Sequence, residues 1–437
     1  MSATPTTITL KAGQQLAADG ILNFLLDGTR ELIISGPAGV GKTFLMSHVI
    51  DTVLPLYHST CKLLGIDSEF DSVEMTATTN KAAEVLAQAT RRETSTIQSF
   101  LNLTVKDDFK TGTSVLKRTR SWAPKSRAII FIDECSMIDT ALRNEILAAA
   151  DKCKIIYVGD RCQLAPVGEI ISPVYRNYIP MYELTEPVRN ADQPALMELC
   201  QQLRNTVDGG EFLPIQVTPG VVDWLSEEET HAAVQEHFLE ADNNNRILAF
   251  RNEQVITLND YVRRTVRDLP DVLTPGEFLV SAEMTQITSS MSLHVEQGVE
   301  VKEVSDKLGS FSVGDGLVLP VRKLTVVTSL GDIMHNVMIP VSRGDYQDLL
   351  KHYSRKKEWS SYFQLKRSVA DLRPRDAATV HKSQGSTYDT VFVDLSDISR
   401  CHQPEQAARL LYVAFSRARK RVVMYGELAN KYGGVTA

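Results

Sequence analysis

The chain has 437 residues, 43% hydrophobic and 23% charged, with a formal net charge of −7 at pH 7. It is about two to three times the usual length of one domain, so two or more cores are expected. No stretch reaches the ~18 apolar residues of a membrane span, and the N-terminus lacks a basic segment followed by an apolar one. These features predict a cytoplasmic protein without a membrane contact. The six cysteines show no zinc spacing and predict reduced thiols.

The first clear element is the strand "ELIIS" at 31–35, which runs into "GPAGVGKT" and then into a helix. This strand–loop–helix context is the one that a phosphate-binding P-loop requires. Its glycines Gly36, Gly39 and Gly41 let backbone N–H groups approach phosphates. Lys42 is then expected to reach the β- and γ-phosphates of ATP, and Thr43 to offer its hydroxyl to Mg²⁺.

The strand "RAIIFID" at 127–133 ends on two adjacent acids, Asp133 and Glu134. Asp133 suits the metal shell, and Glu134 suits the water that attacks the γ-phosphate. Two acids that only add solubility are the alternative. The next strand, "KIIYVGD" at 154–160, is followed by Gln163, an amide that could sense the γ-phosphate. For Gln163 the alternative is a surface loop side chain.

Strands alternate with helical segments in two parts of the chain, which predicts two parallel sheets covered on both faces. The second part contains "RILAF" at 246–250, "TVFVDL" at 390–395 and "RVVMYG" at 421–426. Between its strands, glycines punctuate residues 275–345 and predict a small inserted antiparallel barrel.

Two segments are locally basic in this acidic chain. Residues 106–127 carry seven Lys/Arg against two Asp and predict a β-hairpin turning at Gly112. Residues 351–375 carry eight Lys/Arg against two acids, with aromatic residues interleaved. Such segments are typical of a phosphate track. The alternative for each is a solvated face whose aromatic side chains pack inward.

Three further sites remain open from the residues alone. Arg189 in "LTEPVRN" and Arg417 in "LLYVAFSRARKR" are candidates to neutralise charge during ATP cleavage, and a surface helix is the alternative for Arg417. His381, in "TVHKSQGST" at 379–387, is either a nucleic-acid contact or a packed core histidine.

Taken together, the motifs stand in the order found in superfamily 1 helicases. The chain resembles the phage Dda-type DNA helicases of superfamily 1B, alongside RecD-like enzymes. "KAGQ" at 11–14, "TATTNKAAEVL" at 76–86 and "TSTIQSFL" at 94–101 extend the resemblance, which covers nearly the whole chain.

The resemblance implies a role for individual residues. Gln14 resembles the adenine contact, and Lys42, Glu134, Gln163, Arg189 and Arg417 resemble the catalytic set. The nucleotide contacts would be completed by Gly36, Pro37, Ala38, Gly39, Val40, Gly41 and Thr43, with Thr43 and Asp133 on the metal. The implied DNA-binding positions are Thr78, Asn80, Lys81, Thr96, Gln98, Thr379, His381 and Lys382.

The implied fold is α/β, with two RecA-like parallel-sheet motor domains. The first covers 1–186 and carries a hairpin at 103–125 that resembles the pin parting the duplex. The second covers 187–254 and 371–437, and an SH3-like barrel with a protruding arm is inserted at 255–370.

The resemblance implies an ATP- and Mg²⁺-dependent helicase that moves 5′ to 3′ on single-stranded DNA and unwinds duplex junctions in phage replication or recombination. We expect a monomer in the host cytoplasm, with a single-strand binding protein as an implied partner. One alternative is a P-loop ATPase that remodels protein complexes. A second is a DNA-binding scaffold whose ATP site acts only as a switch. The residues do not separate DNA from RNA, because phosphate contacts do not read the 2′-hydroxyl.

Overall fold

The computed structural model describes residues 10–166, 168–186, 193–288, 291–313, 316–329 and 331–436. The chain divides into two compact units, one made of Met1–Thr104 and Arg118–Met197, the other of Val105–Lys117 and Glu198–Ala437. Among the described helices, none is both long enough and apolar enough to cross a membrane.

The elements as far as residue 183 alternate between helices and strands. In chain order they are α1 (Ala12–Leu26), β1 (Glu31–Ser35), α2 (Lys42–His48), α3 (Leu54–Leu64), β2 (Ser72–Ala77), α4 (Asn80–Thr90), β3 (Ser95–Thr96), α5 (Ile97–Phe100), β4 (Leu103–Asp108), β5 (Thr113–Arg118), β6 (Ser126–Asp133), α6 (Thr140–Ala149), β7 (Lys152–Gly159) and β8 (Met181–Glu183).

Six of these strands form a sheet in the order β3-β2-β6-β7-β1-β8, and every neighbouring pair is parallel. The central strands are apolar on both faces: in β7 every residue after Lys152 is buried. Such continuous apolar runs are typical of parallel strands covered by helices on both sides. The core on one side joins this sheet to α1, α2 and α3.

The second part of the chain continues the same numbering. Its elements are α7 (Pro194–Gly209), β9 (Ile215–Gln216), β10 (Val222–Leu225), α8 (Glu227–Phe238), β11 (Asn245–Ala249), α9 (Asn252–Tyr261), β12 (Phe278–Ser281), β13 (Thr285–Gln286), β14 (Ser292–Leu293), β15 (Gly298–Val313), β16 (Leu317–Thr328), β17 (Ile333–Pro340), α10 (Arg343–Lys356), α11 (Trp359–Ser368), β18 (Leu372–Pro374), β19 (Ala377–Thr379), β20 (Tyr388–Asp394), α12 (Leu395–Ile398), α13 (Pro404–Ser416), β21 (Ala418–Tyr425) and β22 (Val435–Thr436).

A second parallel sheet has the order β10-β21-β20-β11-β19. Helix α13 is apolar almost all round, because eight of its thirteen residues are buried. The predicted α/β fold with two parallel-sheet domains is therefore confirmed.

The segment between β11 and β19 forms an antiparallel sheet in the order β17-β16-β15-β12-β18. Its longest ladder joins β15 to β16 and runs from Val299 opposite Thr328 to Val313 opposite Leu317. Helices α10 and α11 pack on the outer part of this ladder. The SH3-like barrel with an arm remains a prediction for this insert.

The predicted hairpin is formed by β4 and β5, which pair with each other and overlap the basic segment at 106–127. Gly112 turns the chain with φ +73°, a conformation that favours glycine, and its N–H donates to the carbonyl of Asp108 at 2.8 Å. By its contacts the stretch Val105–Lys117 belongs to the second unit.

For the basic segment at 351–375, the inward-packing alternative is confirmed for two of its aromatic residues. Tyr353 and Phe363 are buried, and neither offers a face to a nucleic-acid base. Phe363 instead makes an edge-to-face contact with Phe109 of the hairpin, with ring centroids 5.7 Å apart.

Candidate ATP site and strand-binding residues

The P-loop connects β1 to α2 and depends on glycine at three positions. Gly39 and Gly41 have φ of +84° and +81°, where an L side chain would be strained. A Cβ on Gly36 would lie 2.4 Å from the carbonyl oxygen of Leu184, so any larger residue would displace the loop.

Two polar side chains hold this loop in shape. The Nζ of Lys42 donates to the carbonyls of Gly36 and Pro37 at 2.7 and 2.9 Å. The buried Gln14 side chain donates from Nε2 to the carbonyl of Val40 at 3.0 Å and accepts from the N–H of Lys11 at 3.0 Å. Gln14 therefore fixes the loop backbone whether or not it also contacts a nucleotide base.

The two acids follow β6. Glu134 adopts φ +53°, and its N–H donates to Asp133 Oδ1 at 2.9 Å. Desolvation raises the pKa of Asp133 to about 7, helped by the nearby Glu134 charge and opposed by Lys42. Within the described residues, Glu134 Oε2 is buried without a hydrogen-bond partner. A half-buried carboxylate pair beside a lysine is suited to a divalent cation, because the cation relieves the repulsion between the two acids.

The third part of the candidate ATP site follows the end of β7. The N–H of Gly36 donates to the carbonyl of Gly159 at 3.1 Å, which ties the start of the P-loop to this strand. Gln163 follows in a tight turn closed by its N–H donating to the carbonyl of Asp160 at 3.1 Å. Because Gln163 is only 3% exposed, the surface-loop alternative for its side chain is wrong.

Sheet order explains why these residues meet. Strands β6, β7 and β1 are consecutive neighbours, and all three are parallel. Their carboxyl ends therefore lie along one edge, which carries Asp133 and Glu134, then Gln163, then the P-loop with Lys42 and Thr43. Ligands of open α/β sheets bind at this edge. In the described residues no cluster of three or more His, Cys, Asp or Glu marks a separate metal site.

The strand-binding residues predicted for the first unit lie at the ends of two adjoining strands. Ala77, the last residue of β2, is in register with Thr96 at the end of β3. Thr96 caps α5 by accepting from the N–H of Ser99 at 3.2 Å, while Asn80 and Lys81 begin α4. The structure thus brings Thr78, Asn80, Lys81, Thr96 and Gln98 to neighbouring positions.

One connection between these two groups of residues was not predicted. The N–H of Thr78 donates to the carbonyl of Asp133 at 3.2 Å, and its hydroxyl donates to the carbonyl of Glu134 at 3.1 Å. The Nε2 of Gln98 in turn lies 3.4 Å from the carbonyl of Thr78. No spacing in the sequence signals this link, because it depends on β2 and β6 being neighbours.

Arg417, in the second unit, lies at the end of α13 and is 3% exposed, so the surface-helix alternative is wrong. Its guanidinium donates to the carbonyls of Val413 and Ser386 at 3.2 and 3.4 Å and to Ser416 Oγ at 3.0 Å. These bonds also satisfy acceptors at the C-terminus of the helix. The other candidate arginine, Arg189, lies outside the described residues.

The remaining predicted strand contacts follow β19. Thr379 Oγ1 accepts from the N–H of Lys382 at 3.3 Å, and Lys382 Nζ forms an ion pair with Glu296 Oε1 at 2.5 Å. His381 packs beside Phe250, with ring centroids 6.4 Å apart, and burial lowers its pKa. A neutral imidazole would contact a nucleic acid through a hydrogen bond or by stacking.

Comparisons with known proteins agree with these motifs. Residues 9–214 match the family described as "AAA domain", and residues 376–425 match the "UvrD-like helicase C-terminal domain". The chain is 24% identical to the ATP-dependent DNA helicase dda of Enterobacteria phage T4, covering 94% of this chain and 98% of the relative. The resemblance to Dda-type superfamily 1B helicases is confirmed.

Two other proteins are similar to this chain over nearly its whole length. An uncharacterised protein of Acanthamoeba polyphaga mimivirus is also 24% identical, over 94% of this chain and 98% of its own length. The crystal structure of the Pif1 helicase from Bacteroides in complex with ADP-AlF3 and single-stranded DNA matches with a TM-score of 0.51 at 14% identity. That match covers 98% of this chain and 95% of the other and supports the shared fold.

Proposed function

We propose that this protein is an ATP-dependent DNA helicase that moves 5′ to 3′ on single-stranded DNA and separates duplex. The observation that carries the proposal is the shared sheet edge on which Lys42 and Thr43, Asp133 and Glu134, and Gln163 lie together. The chain is similar to the phage T4 relative, named an ATP-dependent DNA helicase, over almost the full length of both proteins. The direction of movement follows from the superfamily 1B resemblance.

At the ATP site, the P-loop N–H groups and Lys42 bind the phosphates. Thr43 and Asp133 are the residues that would hold Mg²⁺, which supplies charge neutralisation at the phosphate oxygens. Glu134 takes the proton of the attacking water. Its unpartnered Oε2 leaves one acceptor available for that role. Gln163 orients the γ-phosphate or the water, and Arg417 and Arg189 stabilise developing charge.

One of the proposed DNA contacts of the first unit, Thr78, is hydrogen-bonded to the backbone of both ATPase acids. Thr78, Asn80, Lys81, Thr96 and Gln98 contact the strand, and the Thr78 hydroxyl holds the backbone of Glu134. Occupation of the strand site can therefore change the position of the group that activates water. Such a link would make ATP hydrolysis depend on DNA.

In the second unit, the DNA strand is contacted at the end of β19 by Thr379, His381 and Lys382. Lys382 is paired with Glu296, so a phosphate would replace a carboxylate as its partner. The hairpin strands β4 and β5 act as the pin that parts the duplex. A pin needs a rigid support, and the contact between Phe109 and Phe363 provides one from α11.

The proposed partners are single-stranded DNA and duplex junctions, bound by a monomer in the host cytoplasm, with a single-strand binding protein keeping the separated strands apart. Contacts to phosphates and stacked bases make such binding tolerant of sequence.

Unwinding of tailed duplexes tests the proposal. We expect a duplex with a 5′ single-stranded tail to be separated in the presence of ATP and Mg²⁺, and a duplex with a 3′ tail to remain intact. Lys42→Ala should abolish separation without abolishing DNA binding. Separation of neither duplex would contradict the helicase assignment, and separation of only the 3′-tailed duplex would contradict the direction. The same assay with tailed RNA duplexes shows whether the protein unwinds DNA, RNA or both.

A further inference from the structure

The second unit contains a large pocket whose lining includes none of the residues proposed to contact ATP or DNA. It has a volume of about 810 Å³. Its wall is formed by residues at the carboxyl ends of β10, β20 and β21 and by residues of helices α8 and α9. Pockets of roughly 300–1,000 Å³ at this edge of a parallel sheet are the usual location of a ligand site.

Aromatic rings form much of its wall. Trp224 is 43% exposed, and its Nε1 donates to the carbonyl of Gly426 at 2.8 Å, which fixes the indole while leaving part of it open to solvent. Tyr261 packs against His231 across the two helices, with ring centroids 5.3 Å apart. Exposed, immobilised aromatic faces attract apolar groups and cations.

The charge in the pocket is of one sign. Glu227, Asp394 and Glu427 contribute carboxylates, and the lining residues in the described part of the chain include no lysine or arginine. Asp394 is 3% exposed and is held by the Nε2 of Gln254 at 2.8 Å and by the N–H of Asp397 at 2.9 Å. This charge repels phosphate, so the pocket is suited neither to a nucleotide nor to the DNA strand.

A cation would relieve an electrostatic cost at this position. The side chain of Asp394 is buried, and this burial raises its pKa because the ionised carboxylate is desolvated. A positive group in the pocket would stabilise the ionised carboxylate. The apolar walls, which include Leu225, Val234 and Leu258, favour a ligand whose charge is attached to an apolar body.

We propose that this pocket binds a short segment of a partner protein in which apolar residues precede an arginine or lysine. Charge complementarity selects the basic side chain, and the aromatic and aliphatic walls select its apolar neighbours. This inference stands independently of the helicase function, because none of the lining residues belongs to the proposed ATP or DNA sites.

Three defined probes test the proposal on the full chain. Binding is measured by calorimetry and by the NMR shift of the Trp224 indole N–H, and the Trp224→Phe variant assigns that resonance. The probes are acetyl-Leu-Leu-Arg-amide, the same peptide with uncharged citrulline in place of arginine, and spermidine, a cation without an apolar body. We expect the arginine peptide to bind and to shift Trp224, with citrulline at least tenfold weaker. Glu227→Gln should weaken binding at least threefold, whereas Glu236→Gln, an exposed acid on the same helix outside the pocket, should not.

Each contrary result overturns the proposal. Equal affinity of the arginine and citrulline peptides would show that charge is not recognised. Spermidine binding as tightly as the arginine peptide would identify a polyamine site in place of a protein-docking site. No shift of Trp224 with any probe would show that the pocket binds none of these chemistries. Single-strand-stimulated ATP hydrolysis, measured on Glu227→Gln alongside, should equal that of the wild type and so confirms that the variant is folded.

Discussion

The hydroxyl of Thr78 donates a hydrogen bond of 3.1 Å to the carbonyl oxygen of Glu134. Glu134 has φ +53°, a conformation that non-glycine residues rarely adopt, so its backbone depends on such contacts. The residue proposed to contact DNA thus supports the residue proposed to activate water. We propose that this contact couples DNA binding to ATP hydrolysis.

Replacing Thr78 by valine tests that coupling, because valine keeps the shape and removes the hydroxyl. Loss of one hydrogen bond to a strained backbone should cost about 1 kcal/mol of stability. We expect kcat for ATP hydrolysis with saturating single-stranded DNA to fall by about 3- to 10-fold, with Thr78→Ser close to wild type. Wild-type turnover in Thr78→Val would show that the contact is not used.

The link through Thr78 shows where sequence reasoning succeeds and where it ends. The positions of the P-loop, Asp133 and Gln163 after β1, β6 and β7 could be predicted from local spacing, whereas their catalytic roles stay predictions. The partner of Thr78 could not, because it depends on which strands become neighbours. The burial of Tyr353, Phe363 and Gln163 could not be predicted either, because a solvated and a packed side chain give the same local sequence pattern.

The hairpin and helix α11 are joined by a second contact, an ion pair of 2.5 Å between Asp107 and Arg367. Asp107 is 9% exposed at its side chain, so the pair is partly shielded from water. If α11 supports the pin, Arg367→Gln should lower the rate of duplex unwinding several-fold while single-strand-stimulated ATP hydrolysis stays unchanged. A double-mutant cycle with Asp107→Asn should give a coupling energy of about 1 kcal/mol.

A separate contact between the hairpin and α11, that of Gly112 with Trp359, predicts that Gly112 tolerates no side chain. A Cβ there would lie 2.5 Å from the ring of Trp359, in addition to the strain at φ +73°. Gly112→Val should therefore impair unwinding at least as much as Arg367→Gln. Equal loss of unwinding and of ATP hydrolysis in these variants would argue against a dedicated pin.

A buried ion pair joins the helical turn Val262–Val266, which follows α9, to the residue before β12. Arg263 donates to both carboxylate oxygens of Glu277 at 2.8 and 3.0 Å, and each side chain is 8% exposed. Glu277→Gln leaves the arginine charge buried without its partner, which costs about 3–5 kcal/mol. We expect the melting temperature to fall by about 6 °C or more. Glu300→Gln, which breaks the exposed pair with Lys302, should change it by no more than about 1–2 °C.

His381 predicts a pH dependence of stability. Burial lowers its pKa, so the unfolded chain takes up the proton more readily than the folded protein. Stability is therefore full above about pH 6.5, the pKa of an exposed histidine, and is lost as the pH falls towards the lower folded pKa. The fall in melting temperature between pH 7.5 and 5.5 should be smaller in His381→Gln than in the wild type. His402→Gln, at an exposed position, is the control; an unchanged slope in His381→Gln would refute the prediction.

The most direct test of the motor account is the rate of ATP hydrolysis measured with and without single-stranded DNA, in the wild type and in Glu134→Gln. We predict that DNA raises the wild-type rate at least tenfold. Glu134→Gln should lower the stimulated rate by about 10²- to 10⁴-fold while leaving ATP bound. Hydrolysis that is indifferent to DNA, or that survives in Glu134→Gln, would contradict the account.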